Sequence, residues 1–315
     1  MTGAEIENDV RRDAVVRVLG SPVVASTLTR LSGEHLRILA YHGVPDGDAF
    51  IDHLLMLREH FVVVRPEQVA DAVDGSRPLP RNAVWITFDD ARPSVVREAL
   101  PALEAAGVHA TMFVCPGLVE SGDPYWFDLV IGASQRPEGL EFGGTVRRDR
   151  AVVSEFKAIP DARRRELVAE IDPGSVAGLP GQLTRAQFDR WRAADMSVGN
   201  HTFDHPCLDQ CSPEQQTQQI ADAHELLSEW VGGHPEWFAY PNGDWTPEAE
   251  QALASLGYRA AALFDHHLAR PSANVRYRLS RLRIDSWVGA ERFRAILSGG
   301  HSGLFGLTSR WSRTS

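Results

Sequence analysis

Cysteine is scarce in this chain of 315 residues: Cys115, Cys207 and Cys211 are the only three. Three unevenly spaced thiols exclude a disulfide framework. Cys207 and Cys211 have the spacing of half a zinc site, and no second pair follows to complete it. Long apolar runs are also missing. Nothing approaches the roughly 18 consecutive apolar residues of a membrane span. The start, MTGAEIENDVRRDAVV, is charged where a secretory leader is apolar. There is no basic excess either: 32 Lys and Arg against 42 Asp and Glu leave a net charge of −10. That balance argues against a dedicated nucleic-acid binder, because neutralising phosphates needs a basic surface. These absences predict a cytoplasmic protein with free thiols. The hydrophobic share is 43 %, ordinary for a globular chain. A chain of this length buries roughly three quarters of its unfolded surface and needs no staples.

Short β-rich runs alternate with helical patterns, which predicts βα units around a largely parallel sheet or barrel. The strand candidates are 37–42, 61–64, 83–88, 110–115, 196–200, 237–241, 260–264 and 282–285. Between them, Thr184 with Gln187 and Ser212 with Gln215 form capping boxes. Thr246-Pro247-Glu248 starts another helix, which Gly257 ends. Residues 94–107 read as a helix with a kink or late start at Pro101. Residues 1–34 read as a helical segment before the barrel, 35–298 as the barrel itself, and 299–315 as a weakly ordered tail. Residues 121–183 interrupt the rhythm as an arginine-rich insertion, either a lid or a solvated helical decoration.

In a parallel barrel, catalytic groups collect at the C-terminal ends of the strands. Here those ends carry His42, Asp89-Asp90, Asn200-His201 with His205, Pro241-Asn242, Asp265 and Asp285. Adjacent strand residues point to opposite faces, so two carboxylates at a strand end can take different jobs. The plainer account of Asp89-Asp90 is a helix N-cap beside a second acid. His201 and His205 stand four apart, and Pro206 disfavours helix at His205, which places the pair on a loop. Asp90, His201 and His205 supply three ligands, the usual protein set of a catalytic metal with an open position. Such a metal activates water and polarises a carbonyl. Asp89, not used by the metal, takes the water's proton. The turn Tyr240-Pro241-Asn242-Gly243 offers the Asn242 N–H to an oxyanion, since Pro241 has none.

At these residues the chain resembles the polysaccharide deacetylase, or NodB-homology, family, over about Arg37 to about Gly300. The resemblance lies in Thr87-Phe88-Asp89-Asp90-Ala91, in His201-Thr202-Phe203-Asp204-His205-Pro206 and in Phe238-Ala239-Tyr240-Pro241-Asn242-Gly243. The opening Ile38-Leu39-Ala40-Tyr41-His42 and the late Leu279-Ser280-Arg281-Leu282 resemble its exopolysaccharide-type members. The resemblance implies a single-domain, distorted (β/α) barrel carrying an insertion. It implies metal-dependent removal of an N- or O-acetyl group from a sugar, with Asp89 as base and Asp90, His201 and His205 as ligands. The implied cofactor is one divalent ion, Zn²⁺, with Co, Ni or Mn as substitutes.

Three departures stand out. Ala91 replaces the motif glycine, at a cost of about 1 kcal/mol if the backbone there is left-handed. Ala239 stands where many members carry an arginine that holds the catalytic aspartate, and Arg281 is the candidate substitute. No late Leu-x-His motif supplies a general acid. His42 and Asp89 itself are the candidates, while His266, His267 and His301 read as loop histidines. The substrate class is a saccharide or small molecule, and Trp126 with Phe127 either stacks on a sugar or packs into the core. Hydrolysis of another C–N bond, as in a cyclic imide or an N-acyl metabolite, and non-catalytic carbohydrate binding remain open alternatives.

Overall fold

The computed structural model describes residues 14–300. The expected helical character of residues 1–13 and the tail over 301–315, His301 included, lie outside them. Among the described residues there are ten strands: β1 (Arg37–Tyr41), β2 (Val62–Val63), β3 (Ala83–Phe88), β4 (Ala110–Val114), β5 (Leu140–Phe142), β6 (Thr145–Arg147), β7 (Ser197–Asn200), β8 (Trp237–Ala239), β9 (Ala260–Ala262) and β10 (Leu282–Arg283). Every one of the eight predicted runs contributes a strand to one all-parallel sheet. Its order is β10-β1-β3-β4-β7-β8-β9, with β2 on β3. The sheet curls into a distorted (β/α) barrel. Residues 279–284 close it: Leu279 exchanges hydrogen bonds with β9 through Ala261 and Leu263, and the next residues pair with β1.

Alternation along the strands sorts the core. On β3, Val84, Ile86 and Phe88 face the helices, joining Leu39, Tyr41, Met112 and Trp191 in the largest apolar cluster. Trp85 faces the lumen with Ile38, Phe113 and Trp237. Period-2 geometry therefore carries Trp85, Thr87 and then Asp89 into the barrel interior.

Helix signals act as their chemistry requires. Gln187 N–H bonds Thr184 Oγ1 at 3.3 Å, and Thr184 N–H bonds Gln187 Oε1 at 2.9 Å. Ser212 and Gln215 repeat the arrangement at 3.3 and 2.8 Å. The expected break near Pro101 takes the form of a π turn over Val95–Ala99, after which a helix over Leu100–Ala106 begins with Pro101 in its first turn. Proline has no N–H for the preceding ladder, so the ladder restarts there.

The insertion folds around its own apolar cluster of Trp126, Leu129, Val130, Leu140, Val152, Phe156, Ile171 and Val176. It includes helices over Trp126–Ser134, Val152–Lys157 and Asp161–Ala169 and the antiparallel pair β5–β6. This hairpin is not among the predicted strands. Its turn, Gly143-Gly144, has positive φ at both residues (59° and 74°), which is the two-residue hairpin signal. Among the described residues no single helix is long and apolar enough to cross a membrane. Ala14–Gly20 and Pro22–Leu31 reach that length only as a pair bent by 67°.

Candidate active site

Two carboxylates leave the end of β3 in different directions, and the backbone explains how. Asp89 N–H still bonds the Tyr41 carbonyl at 2.7 Å, so Asp89 keeps the sheet's alternation and points inward. Asp90 and Ala91 then take left-handed conformations (φ 63° and 47°), which swing the Asp90 side chain over the rim. Ala91 thus occupies the conformation glycine suits best, at a cost of about 1 kcal/mol.

Inside the barrel, Arg281 meets Asp89 with two parallel bonds, Nη1 to Oδ1 at 2.7 Å and Nη2 to Oδ2 at 2.8 Å. The guanidinium is fully buried, also donates to the Leu263 carbonyl at 2.5 Å, and lies against the Phe113 and Phe264 rings. Asp265 holds the backbone there, accepting from Arg281 N–H and Ser280 Oγ. Burial pushes the Asp89 carboxyl up, but the charges of Arg281 and His201 and the Arg281 hydrogen bonds outweigh it and bring it to about 2. Asp89 is therefore ionised at neutral pH.

At the rim, Asp90 Oδ1 is buried without a hydrogen-bond partner. His205 Nε2 lies 3.4 Å from it and His201 Nε2 3.6 Å. The three donor atoms fall within 4.8 Å of one another. These separations are long for hydrogen bonds. They match ligands about 3.3 Å apart around one tetrahedral ion. His201 Nδ1 is paired with the Ala239 carbonyl at 2.7 Å, which leaves Nε2 to face the centre. Burial pushes the His205 imidazole down to about 3 against the pull of Asp90, so the ring is neutral, the form that ligates. The donor set thus fits a divalent cation.

The loop that presents the histidines is tied from below. Asn200 is fully buried, and its side chain takes the Thr202 N–H and gives to Tyr258 Oη and the Ile220 carbonyl. Thr202 Oγ1 in turn accepts the His205 N–H at 3.1 Å. Thr202 and His205 both have positive φ, 70° and 63°, so the loop coils tightly enough to aim two rings at one point.

The remaining candidates divide. His42 is half-buried, edge-on to Phe264, and close enough to Asp89 and Asp90 for both to act on it; burial, the largest influence, pushes its imidazole down. Asn242 sits at φ 58° in its turn, where the Gly243 and Asp244 N–H groups are occupied by the Tyr240 and Pro241 carbonyls. Tyr240 is buried, not open at the rim. Its ring packs into the core beside Phe238 and its N–H bonds the Ala262 carbonyl, because β8 continues its pairing through that residue. Trp126 is likewise mostly packed, in the apolar cluster of the insertion. It is 9 % exposed, its ring faces the Arg164 guanidinium, and its indole N–H bonds the His205 carbonyl at 2.9 Å.

The sequence motifs missed several supporting groups. Tyr125 Oη donates to the Asp90 carbonyl at 2.7 Å. Arg92 lies over the Tyr125 ring, bonds Asp128 at 2.6 Å and reaches within 4.0 Å of Asp90 Oδ2. Arg165 grips Asp204, between the two histidines, with bonds of 2.7 and 2.9 Å. Most of these groups come from the insertion, which acts as a buttress for the rim. No spacing rule marks them, because their partners are distant in sequence.

A family model described as polysaccharide deacetylase matches residues 76–261. YxkH of Bacillus subtilis (strain 168), whose name assigns it to the polysaccharide deacetylases, is 20 % identical over 270 residues, covering 83 % of this chain and 76 % of its own. The deacetylase PplD of Streptococcus pyogenes, solved in complex with acetate, superposes with a TM-score of 0.59 at 22 % identity, covering 84 % of this chain and 98 % of its own. IcaB from Ammonifex degensii does so at 0.55 and 21 %, covering 84 % and 98 %. At these identities the structural likeness concerns the fold.

Proposed function

Because the chain belongs to the polysaccharide deacetylase family, we propose that it is a metal-dependent hydrolase that removes an acetyl group from an N-acetylated saccharide. The observation that carries this is the convergence of two imidazole nitrogens on the buried, unpartnered Asp90 Oδ1, beside a second carboxylate clamped by Arg281. Asp90, His201 and His205 would hold one divalent ion, and two nitrogens with one oxygen suit Zn²⁺. A bound ion of this kind supplies a water of lowered pKa and polarises an acyl carbonyl.

This chain's own residues do the rest. Asp89 is ionised and fixed by two bonds, so its lone pairs are oriented to accept the proton of the attacking water. Arg281 positions it, in place of the arginine that Ala239 lacks. The Asn242 N–H is offered to the developing oxyanion from a turn whose left-handed backbone is fixed by its side-chain bonds. Asp89, once it has gained a proton, is the group at this rim that returns it to the departing amine, and His42, neutral because burial pushes its imidazole down, lies beside both aspartates. A saccharide substrate is supported by the family.

Calorimetric titration of chelator-stripped protein with Zn²⁺ tests the proposal. One site is expected in the wild type and none in His205→Ala, and the reloaded wild type is expected to release acetate from an N-acetylated sugar oligomer. A wild type that binds no Zn²⁺ overturns it.

A further inference from the structure

Lys157 is the one lysine among 315 residues; every other basic side chain is an arginine or a histidine. It ends the helix Val152–Lys157 of the insertion and is half-buried. A lysine in such a place ordinarily meets a carboxylate or reaches water. Lys157 does neither fully. Its ammonium donates to Asn242 Oδ1, a neutral oxygen, and no carboxylate lies within ion-pair distance of it among the described residues. The partner is no ordinary surface amide, because Asn242 is the residue whose backbone N–H the deacetylase reading assigns to the oxyanion.

The rest of that amide is also held. Asn242 Nδ2 donates to Asp244 Oδ2 at 3.0 Å and faces Cys207 Sγ at 3.6 Å. The side chain is therefore fastened to the insertion, to its own turn and to the loop that follows His205. The backbone it controls is left-handed at Asn242 (φ 58°) and again at Gly243 (φ 85°). The turn cannot relax towards the second position, because a Cβ on Gly243 would lie 2.7 Å from the Phe264 nitrogen. Asparagine tolerates this conformation, but nothing intrinsic to it forces the N–H direction. Backbone bonds from Gly243 N–H to the Tyr240 carbonyl and from Asp244 N–H to the Pro241 carbonyl outline the turn, and the side-chain anchor, whose only cationic member is Lys157, secures Asn242 within it.

We propose that Lys157 is a positioning residue for the deacetylation: it fixes the oxyanion-facing turn through the Asn242 side chain, so that the insertion completes the active site. The proposal rests on the deacetylase reading above. It also gives the insertion a task beyond bracing the histidine loop. The ammonium adds a positive charge behind the donor, which favours the intermediate, where charge develops on oxygen, over the neutral amide of the ground state.

The test uses the zinc-loaded enzyme and an N-acetylated sugar oligomer. Lys157→Met is expected to lower kcat by about tenfold or more, with KM changed by less than about threefold and Zn²⁺ affinity unchanged. Lys157→Arg is expected to recover most of the lost rate. A second readout needs no metal. Protein grown on ε-¹³C lysine gives one side-chain signal, and Asn242→Gly, which keeps the left-handed backbone free of strain, is expected to shift it. Wild-type kcat in Lys157→Met overturns the proposal. So does loss of Zn²⁺ binding in that variant, which would assign Lys157 to the metal loop, and so does a lysine signal that ignores Asn242→Gly. A wild type that binds Zn²⁺ and releases no acetate fails the deacetylase reading instead, and the lysine signal then still decides whether the two side chains are coupled.

Discussion

Asp89 and Arg281 form the most consequential pair at the scale of single residues. Both side chains are buried, and each is the other's main charge partner. A buried pair of this kind contributes little net stability, but removing one partner leaves a lone charge in the barrel. Asp89→Asn is expected to keep Zn²⁺ binding, since Asp89 is not one of the three converging ligands, while turnover falls by about 10³-fold or more. Equal loss of metal would refute the division of labour between the two aspartates. Arg281→Met and Asp89→Asn are each expected to cost about 3–5 kcal/mol in urea denaturation. The double variant should cost clearly less than the two together. Additive losses would mean that the paired geometry has no energetic consequence.

The insertion is the element with the most unexpected placement. Its length suggested a lid or a solvated decoration, and in the structure it has an apolar core of its own and braces the rim. Its apolar cluster packs beside the histidine loop, and its polar side chains reach the backbone carbonyls of Asp90 and His205. Trp126 shows the effect in one bond. Its indole N–H on the His205 carbonyl at 2.9 Å helps set the direction of the ring that follows. Groups that orient a ligand in this way typically change metal affinity about 10–100-fold when removed. Trp126→Phe is therefore expected to weaken Zn²⁺ binding by about tenfold with little change in melting temperature. A variant that binds Zn²⁺ like the wild type would show that the bond is incidental.

For the whole molecule, the two ends of the barrel differ. The C-terminal rim carries the chemistry, while the opposite end carries His109, just before β4, 9 % exposed and paired with Ser197 Oγ at 3.1 Å. Burial, with the Arg65 charge, pushes its imidazole down to about 4 from the ordinary 6.5. The folded state thus binds fewer protons than the unfolded chain between these values. Its contribution to stability is complete above 6.5 and is lost as the pH falls towards 4, on the order of 3 kcal/mol in all. His109→Gln is expected to flatten the fall in urea midpoint between about pH 7 and about pH 4.5. An unchanged slope would place the acid sensitivity elsewhere.

Local pattern determined the strands and the rim. Alternation along 83–88 and its parallel neighbours is enough to build the sheet, and in a parallel sheet every strand's C-terminal end lies on one side. That is why Asp90, His201 and His205 were legible as one cluster from two segments far apart in sequence. The β5–β6 hairpin is marked by Gly143-Gly144, but its three-residue strands are too short for alternation to show. Other features depended on closure and packing. Arg281 meets Asp89 across 192 residues only because the segment after β9 closes the barrel. Tyr240 and Trp126 turn inward because β8 pairs one residue further and the insertion has its own core. Spacing reports which residues share a face or an end. Only tertiary contacts decide which of them touch, because long-range neighbours are set by how whole elements pack.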